Sequence, residues 1–231
     1  MTTRSDRKPA GGRRGGRPRS FDREGALHAA MRVFWTHSFE GASVADLTEA
    51  MGINPPSLYA AFGDKEGLFL EAIDRYQAQW RAACPWVDEP TAEAAVRQLL
   101  LDCAKNYTAE GNPRGCLIMM GVDTSASSAV RVQEALAQKR AQGQERIRRR
   151  IEAGIAAGEL DEGADASRLA GFFMAVIGGM SLQARDGAPT QALLAIVDAA
   201  MAAWPRQSRG DATALRDEIA IPAAMRKNAT A

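Results

Sequence analysis

Cys116 follows Pro113, Arg114 and Gly115 and opens the apolar stretch Leu117 to Met120. A cysteine that starts a helix beside a guanidinium has two influences favouring its thiolate, the helix dipole and the neighbouring cation, and a thiolate reacts with electrophiles and oxidants. Cys116 therefore has two readings, a sensor thiol or a buried structural residue, since free cysteine is often buried. A hydrolytic use is not expected. A cysteine nucleophile needs a general base, and the two histidines, His28 and His37, both fall in the first helical segment. Cys84, Cys103 and Cys116 form no CxxC pair, so neither a zinc site nor a disulfide framework is expected, and this usage suits a reducing cytosol. No metal-ligand cluster and no Gly-rich phosphate loop after a strand is read, so no cofactor and no enzymatic activity are expected.

The second group with chemical potential is cationic. Residues 1–20 hold seven arginines and lysines, Arg17 and Arg19 among them, against one acid, Asp6, a net +6 in a chain whose total is +1. Such a Gly- and Pro-containing segment can hardly pack a core, and it reads either as a solubilising tail or as a flexible arm that touches phosphates or a minor groove. It lacks the apolar core of a signal peptide, so no export is expected and a cytoplasmic location is. The longest apolar run, Leu169 to Leu182, is broken by glycines and falls short of the roughly 20 residues that span a bilayer, so no membrane partner is expected.

The elements that must position these residues are helices. Strand signals are almost absent, while Ala, Leu, Glu, Arg and Gln recur with apolar residues three and four apart, predicting an all-α protein. A first helix is predicted from about Asp22 to His37, with Asp22 as its N-cap and Leu27, Ala30, Met31, Phe34 and Trp35 on one face. Ser43 and Asp46 have capping-box spacing ahead of Val44, Leu47 and Met51, and Gly52 stops this short helix. Gly52-Ile53-Asn54 makes a turn, Asn54 caps the next helix, and Pro55 occupies its first position, where a missing N–H costs nothing. That helix runs to Phe62. Asp64 then caps a helix from Lys65 to Ala83, about 28 Å long at 1.5 Å per residue, which is read as a connecting rod. Further helices are predicted at Thr91 to Ala109, Gly115 to Thr124, Ser128 to Ala157, Asp165 to Arg185 and Thr190 to Trp204.

Two short helices joined by a Gly-containing turn, with Val44, Leu47, Met51, Ile53, Leu58 and Phe62 as a core stripe, describe a helix-turn-helix spanning residues 43 to 62, although a plain helical hairpin would show similar punctuation. The residues Ser43-Val44-Ala45-Asp46-Leu47, followed by Met51-Gly52-Ile53-Asn54-Pro55-Pro56-Ser57-Leu58-Tyr59-Ala60-Ala61-Phe62-Gly63-Asp64-Lys65-Glu66-Gly67-Leu68-Phe69, closely resemble the DNA-binding segment of TetR-family regulators. The close match covers about residues 22 to 80. Beyond it, Gly115-Cys116-Leu117 and Gln183-Ala184-Arg185-Asp186-Gly187 look like one branch of that family. The sequence departs from the family in Ala60-Ala61, where bulkier residues are common, and in Ser43, where threonine is.

The resemblance implies a basic arm at 1–20, a three-helix helix-turn-helix DNA-binding domain at 21–66, a larger effector-sensing and dimerising helical bundle at 67–204, and a tail at 205–231. It implies that Pro55 to Ala61 lies in the major groove, that Tyr59 and Lys65 meet phosphates, and that Ser43 reaches another. Asn54 starts the reading helix, and Ser57 and Ala60 are its candidate base contacts, with Arg17 or Arg19 adding readout from the arm. The family pattern also implies a homodimer on an inverted-repeat operator, for which Phe173, Ile177, Met180, Leu194, Val197 and Met201 are the candidate interface. A small-molecule effector pocket is expected among the central helices, walled by Trp80, Trp86, Met119, Met120 and Phe172, with Cys116 as a separate candidate sensor of electrophiles or oxidants. The competing class is a helical adaptor whose basic arm binds RNA or membrane without sequence preference.

Overall fold

The computed structural model describes residues 21–122 and 129–205, and all its regular structure is helical, with no strand among the described residues. Helix α1 (Arg23–Gly41) starts where the Asp22 carboxylate accepts from the Glu24 and Gly25 N–H groups. Helix α2 (Val44–Met51) begins with a full capping box: the Ser43 hydroxyl receives the Asp46 N–H, and the Asp46 carboxylate receives the Ser43 N–H. It ends at Gly52, whose left-handed conformation (φ 64°) turns the chain into Asn54. Helix α3 (Pro55–Phe62) is capped by Asn54 Oδ1, which accepts the Ser57 N–H at 2.9 Å. Helix α4 (Lys65–Ala83) comes after a sharp corner. Gly67 makes that corner possible, because a Cβ there would press into the Phe62 carbonyl oxygen.

These four helices share one core. Phe34 and Phe39 of α1 meet Phe69 of α4 edge to face, at 4.9 and 5.3 Å between ring centroids, and Leu47 and Leu58 are fully buried beneath them. Arg23 ties the periphery together: its guanidinium binds both Glu71 carboxylate oxygens, donates to the Ala61 carbonyl and lies 4.5 Å over the Phe62 ring.

Beyond α4, a single 3₁₀ turn at Trp86–Asp88 leads into α5 (Ala92–Tyr107), capped by Thr91. A one-turn helix, α6 (Leu117–Met120), precedes α7 (Val130–Ala156), α8 (Ala166–Arg185) and α9 (Thr190–Ala202). Phe173, Met180, Leu193 and Val197 are fully buried where α5, α8 and α9 pack.

The structure differs from the sequence reading in three places. α1 continues past His37 to Gly41, but its helical run is broken at Ser38 (φ 62°, ψ 178°). At the break, Phe39 N–H donates to the Gly121 carbonyl at 2.8 Å and the Ser38 hydroxyl to the Met120 carbonyl at 3.1 Å. The helix expected from Gly115 to Thr124 contracts to the single turn of α6; residues 123–128 lie outside the described residues. The 3₁₀ turn at Trp86 was not anticipated, because Pro85 signals where a helix stops and carries no information about the conformation after it.

Candidate functional site

Two regions carry residues that sequence reasoning singled out. The first is the outer face of α2 and α3. Leu58 and Phe62 are anchored in the core, so helical spacing turns Asn54, Pro55, Tyr59 and Ala60 outward, with Ser57 half-buried beside them. Tyr59 is 49% exposed and its hydroxyl has no hydrogen-bond partner among the described residues. The small side chains let a flat or grooved partner approach the α3 backbone closely, while the tyrosine hydroxyl remains available to an anion at its edge.

Ser43 and Lys65 are placed differently from each other. The Ser43 hydroxyl lies at the exposed start of α2 but donates to Asp46 at 2.6 Å, and those same contacts hold the Asp46 carboxyl below the usual range. Lys65, the first residue of α4, is half-buried with its Nζ 4.5 Å over the Phe39 ring; burial lowers its proton affinity, against the pull of Glu40. A phosphate at the α4 N-terminus would meet an ammonium already steered by that ring. Arg17 and Arg19 lie outside the described residues.

The second region is a cavity with about 670 Å³ of empty space, its open mouth included, between the C-terminal half of α4 and helices α5 to α8. Trp80, Trp86 and Met119, three of the expected wall residues, line it, and so does Cys116. Met120 and Phe172 do not. The Met120 carbonyl instead takes hydrogen bonds from Ser38 and Arg185, and Phe172 points outward from α8, 42% exposed. Sequence reasoning missed the polar part of the wall. Tyr76 and Tyr107 enter it with their hydroxyls among thiols: Tyr76 donates to Cys116 Sγ at 3.4 Å, and Tyr107 is hydrogen-bonded with Cys103. Burial pushes both phenols and the Cys103 thiol well up, and Cys84 up to about 11, so these groups stay neutral at physiological pH. A buried tyrosine hydroxyl usually finds a partner, but the sequence does not say that these two tyrosines are buried or that thiols lie beside them.

Cys116 itself is 8% exposed, and its N–H donates to Ser181 Oγ at 2.9 Å. Neither influence expected to favour its thiolate is in place. α6 is one turn long, too short for a helix dipole of any size, and Arg114 faces away, donating to the carbonyls of Ala184 at 2.7 Å and of Ala188. The Arg140 guanidinium, also on the cavity wall, is committed to the Ile118 carbonyl at 3.0 Å.

Five of the six residues expected at the interface are covered by the protomer itself. Phe173, Met180 and Val197 are fully buried within the protomer, and Ile177 and Met201 nearly so; Ile177 even reaches the cavity wall. Leu194 is half-buried. The apolar side chains α8 leaves outside are Phe172 and Leu182, with Leu169 and Val176 partly exposed. A two-sided apolar helix does not tell from sequence which side the monomer takes.

Known proteins place this arrangement. A family model described as bacterial regulatory proteins, tetR family, matches residues 26–72, and one described as tetracyclin repressor-like, C-terminal domain, matches residues 92–204. Over 193 residues the chain is 34% identical to the HTH-type transcriptional repressor ComR of Escherichia coli (strain K12), spanning 82% of this chain and 92% of that protein. The HTH-type transcriptional repressor BdcR of the same organism is 40% identical over 112 residues, 46% of this chain and 55% of BdcR. A solved structure of a cysteine mutant of the TetR-family regulator CifR, complexed with 26-base-pair double-strand operator DNA, aligns with a TM-score of 0.79 at 45% identity, covering 82% of this chain and 100% of that one. With its α2–turn–α3 unit inside the first match and its cavity helices largely inside the second, the chain belongs to the TetR family of helix-turn-helix transcriptional regulators.

Proposed function

We propose that the protein is a repressor whose two-fold dimer sets one α3 helix from each protomer into successive major grooves of an inverted-repeat operator. The observation that carries this reading is the α3 face itself: Pro55, Tyr59 and Ala60 stand clear of a head whose Leu58 and Phe62 are locked inside. Ala60 suits thymine methyl contact and Ser57 a base-edge hydrogen bond, while Tyr59 and Lys65 meet phosphates and fix register. Arg17 and Arg19 would add contacts from the arm. The dimer forms through the outer face of α8, with Phe172 and Leu182 at its centre and the small exposed residues Ala195 and Ala199 of α9 beside them, because a two-fold interface needs an apolar patch the protomer has not already covered.

Release occurs when a small molecule fills the cavity. α4 runs from the α3 corner to the cavity wall, so a ligand that moves Tyr76 or Trp80 acts on the same helix that carries Lys65. The ligand releases DNA only to the extent that it prefers the non-binding arrangement. A second route is favoured by the position of Cys116 on that wall: its S–H can add across the activated C=C bond of a small electrophile, sulfur bonding to one carbon as the π bond breaks and the thiol proton passing through solvent to the other, so that the adduct occupies the cavity covalently.

Fluorescence anisotropy of the purified protein on inverted-repeat duplexes from the region beside its own gene, against shuffled duplexes and across a salt series, tests the reading. A large operator preference that survives added salt is expected. A stable monomer, or equal affinity for both duplexes, would sink it and favour the non-specific adaptor. Cys116→Ser separates the two routes: release by electrophiles should vanish while release by a non-covalent ligand persists.

A further inference from the structure

Helix α7 carries seven basic side chains, and six of them are engaged. Arg131 pairs with Glu66 and Lys139 with Asp74; Arg140 donates to the Ile118 carbonyl and Arg150 to that of Glu89; Arg148 and Arg149 share Glu145. Arg146 differs. Among the described residues its guanidinium has no carboxylate within 4.0 Å and no hydrogen-bond acceptor, and what it touches is the face of Trp86, 5.3 Å from the ring centroid. Arg81, in the last turn of α4, is likewise without a carboxylate among the described residues, although its charge there complements the helix dipole. Both lie at the wall of the cavity, and Arg81 is near enough for its charge to oppose that of Arg146.

Two unneutralised guanidiniums at one mouth repel each other, and partial burial strips some of the hydration of Arg146, while Arg81 beside it stays exposed. An oxyanion placed between them relieves both effects, and guanidinium is the side chain best shaped to hold one. Behind them the wall turns apolar, with Trp80, Leu99, Ile118 and Ile147; the Tyr76 and Tyr107 hydroxyls there are already engaged with thiols, and the two other cations of the wall, Lys139 and Arg140, are committed to Asp74 and to the Ile118 carbonyl. A ligand can satisfy this gradient in one orientation only, with its charge outward and its apolar body inward.

We infer that the cavity selects amphipathic monoanions, molecules with an apolar ring-sized body and one carboxylate or sulfonate held at the mouth by Arg81 and Arg146. This deepens the effector-site reading and rests on it. The test uses two fluorescent probes with the same anilinonaphthalene body, anilinonaphthalene sulfonate and the neutral N-phenylnaphthylamine, titrated into the full-length protein. The sulfonate is expected to bind about tenfold more tightly, a modest ratio because the mouth is open to water. Arg81→Gln and Arg146→Gln should each weaken the sulfonate several-fold without changing the neutral probe, and the double variant should erase the preference. Arg146→Lys should retain part of it. Gly143→Trp, which fills the cavity where Gly143 lines it, should abolish both probes.

Equal binding of the two probes, or a preference that the double variant leaves intact, overturns the anion assignment while the cavity remains a binding site. Failure of both probes, or binding indifferent to Gly143→Trp, removes the cavity as a ligand site and the effector reading with it. Thermal melts followed by circular dichroism confirm that each variant is folded before its titration is read.

Discussion

The α1–α4 head and the cavity region are built by opposite means from the same helical material. The head is started by neighbours in sequence: Asp22, Ser43, Asn54 and Asp64 each cap the next helix through a side chain that reaches no more than three residues along the chain. The cavity is closed by strangers. Its wall takes Tyr76 and Trp80 from α4, Tyr107 from α5, Cys116 from a loop, Arg146 from α7 and Met174 from α8, segments far apart in the chain. The contrast teaches that a helix-turn-helix head set by local caps is fixed in one geometry, whereas a region that encloses a void depends on packing between distant segments to tolerate it.

Truncations should break the symmetry between the two regions first. Leu58→Ala, in a fully buried site of the head, is expected to lower unfolding free energy by about 2–5 kcal/mol, whereas Leu99→Ala at the cavity wall should fall near the bottom of that range, because its new space merges with an existing one. Urea denaturation of both variants decides it, and equal losses would mean the cavity is collapsed in solution. The next contrast is between two helical glycines. Gly67→Ala should lose about 1–3 kcal/mol, since its methyl would push against the Phe62 carbonyl, while Gly143→Ala, whose methyl would meet only Met174 Cε at 3.6 Å, should gain about 1 kcal/mol from helix propensity.

Tyr59→Ala sharpens the comparison from the functional side. Operator affinity should fall about tenfold with stability unchanged within about 0.5 kcal/mol, the mark of an exposed side chain used for contact. A melting point that falls in step with affinity would assign Tyr59 to the core instead. The smallest effect lies on the sensor side. Arg148 and Arg149 hold the Glu145 carboxyl down to about 2 from 4.5, so the stability this carboxylate contributes is complete above its unfolded value and lost as pH falls through that interval. Glu145→Gln should flatten that part of the acid titration only slightly, since these groups are solvent-exposed.

Legibility divided along the same line. Caps, the Gly52 turn and the Pro55 start were readable because each is a local rule acting over three or four residues, and α2 to α4 match the sequence reading to the residue. Trp80, Trp86 and Met119 could be named as wall candidates from residue type and helical spacing, but the polar half of the wall could not, because Tyr76 and Tyr107 look like ordinary stripe residues until tertiary contacts bring their hydroxyls to the thiols. Most of the interface candidates turned out to be buried within the protomer, for a related reason. α8 is apolar on two sides, and only packing against α5 and α9 showed that Phe173 and Met180 belong inside and Phe172 outside.

Ser38 carries one more implication. Its backbone occupies a region where a residue with a side chain is strained by about 1–3 kcal/mol, and the bonds to Met120 and Gly121, with Arg185 donating to its hydroxyl, hold it there. Were α6 to withdraw, that backbone could relax and part of the lost bonding would be recovered at once. The seam between the two halves of the molecule is therefore easier to open than its hydrogen bonds alone suggest.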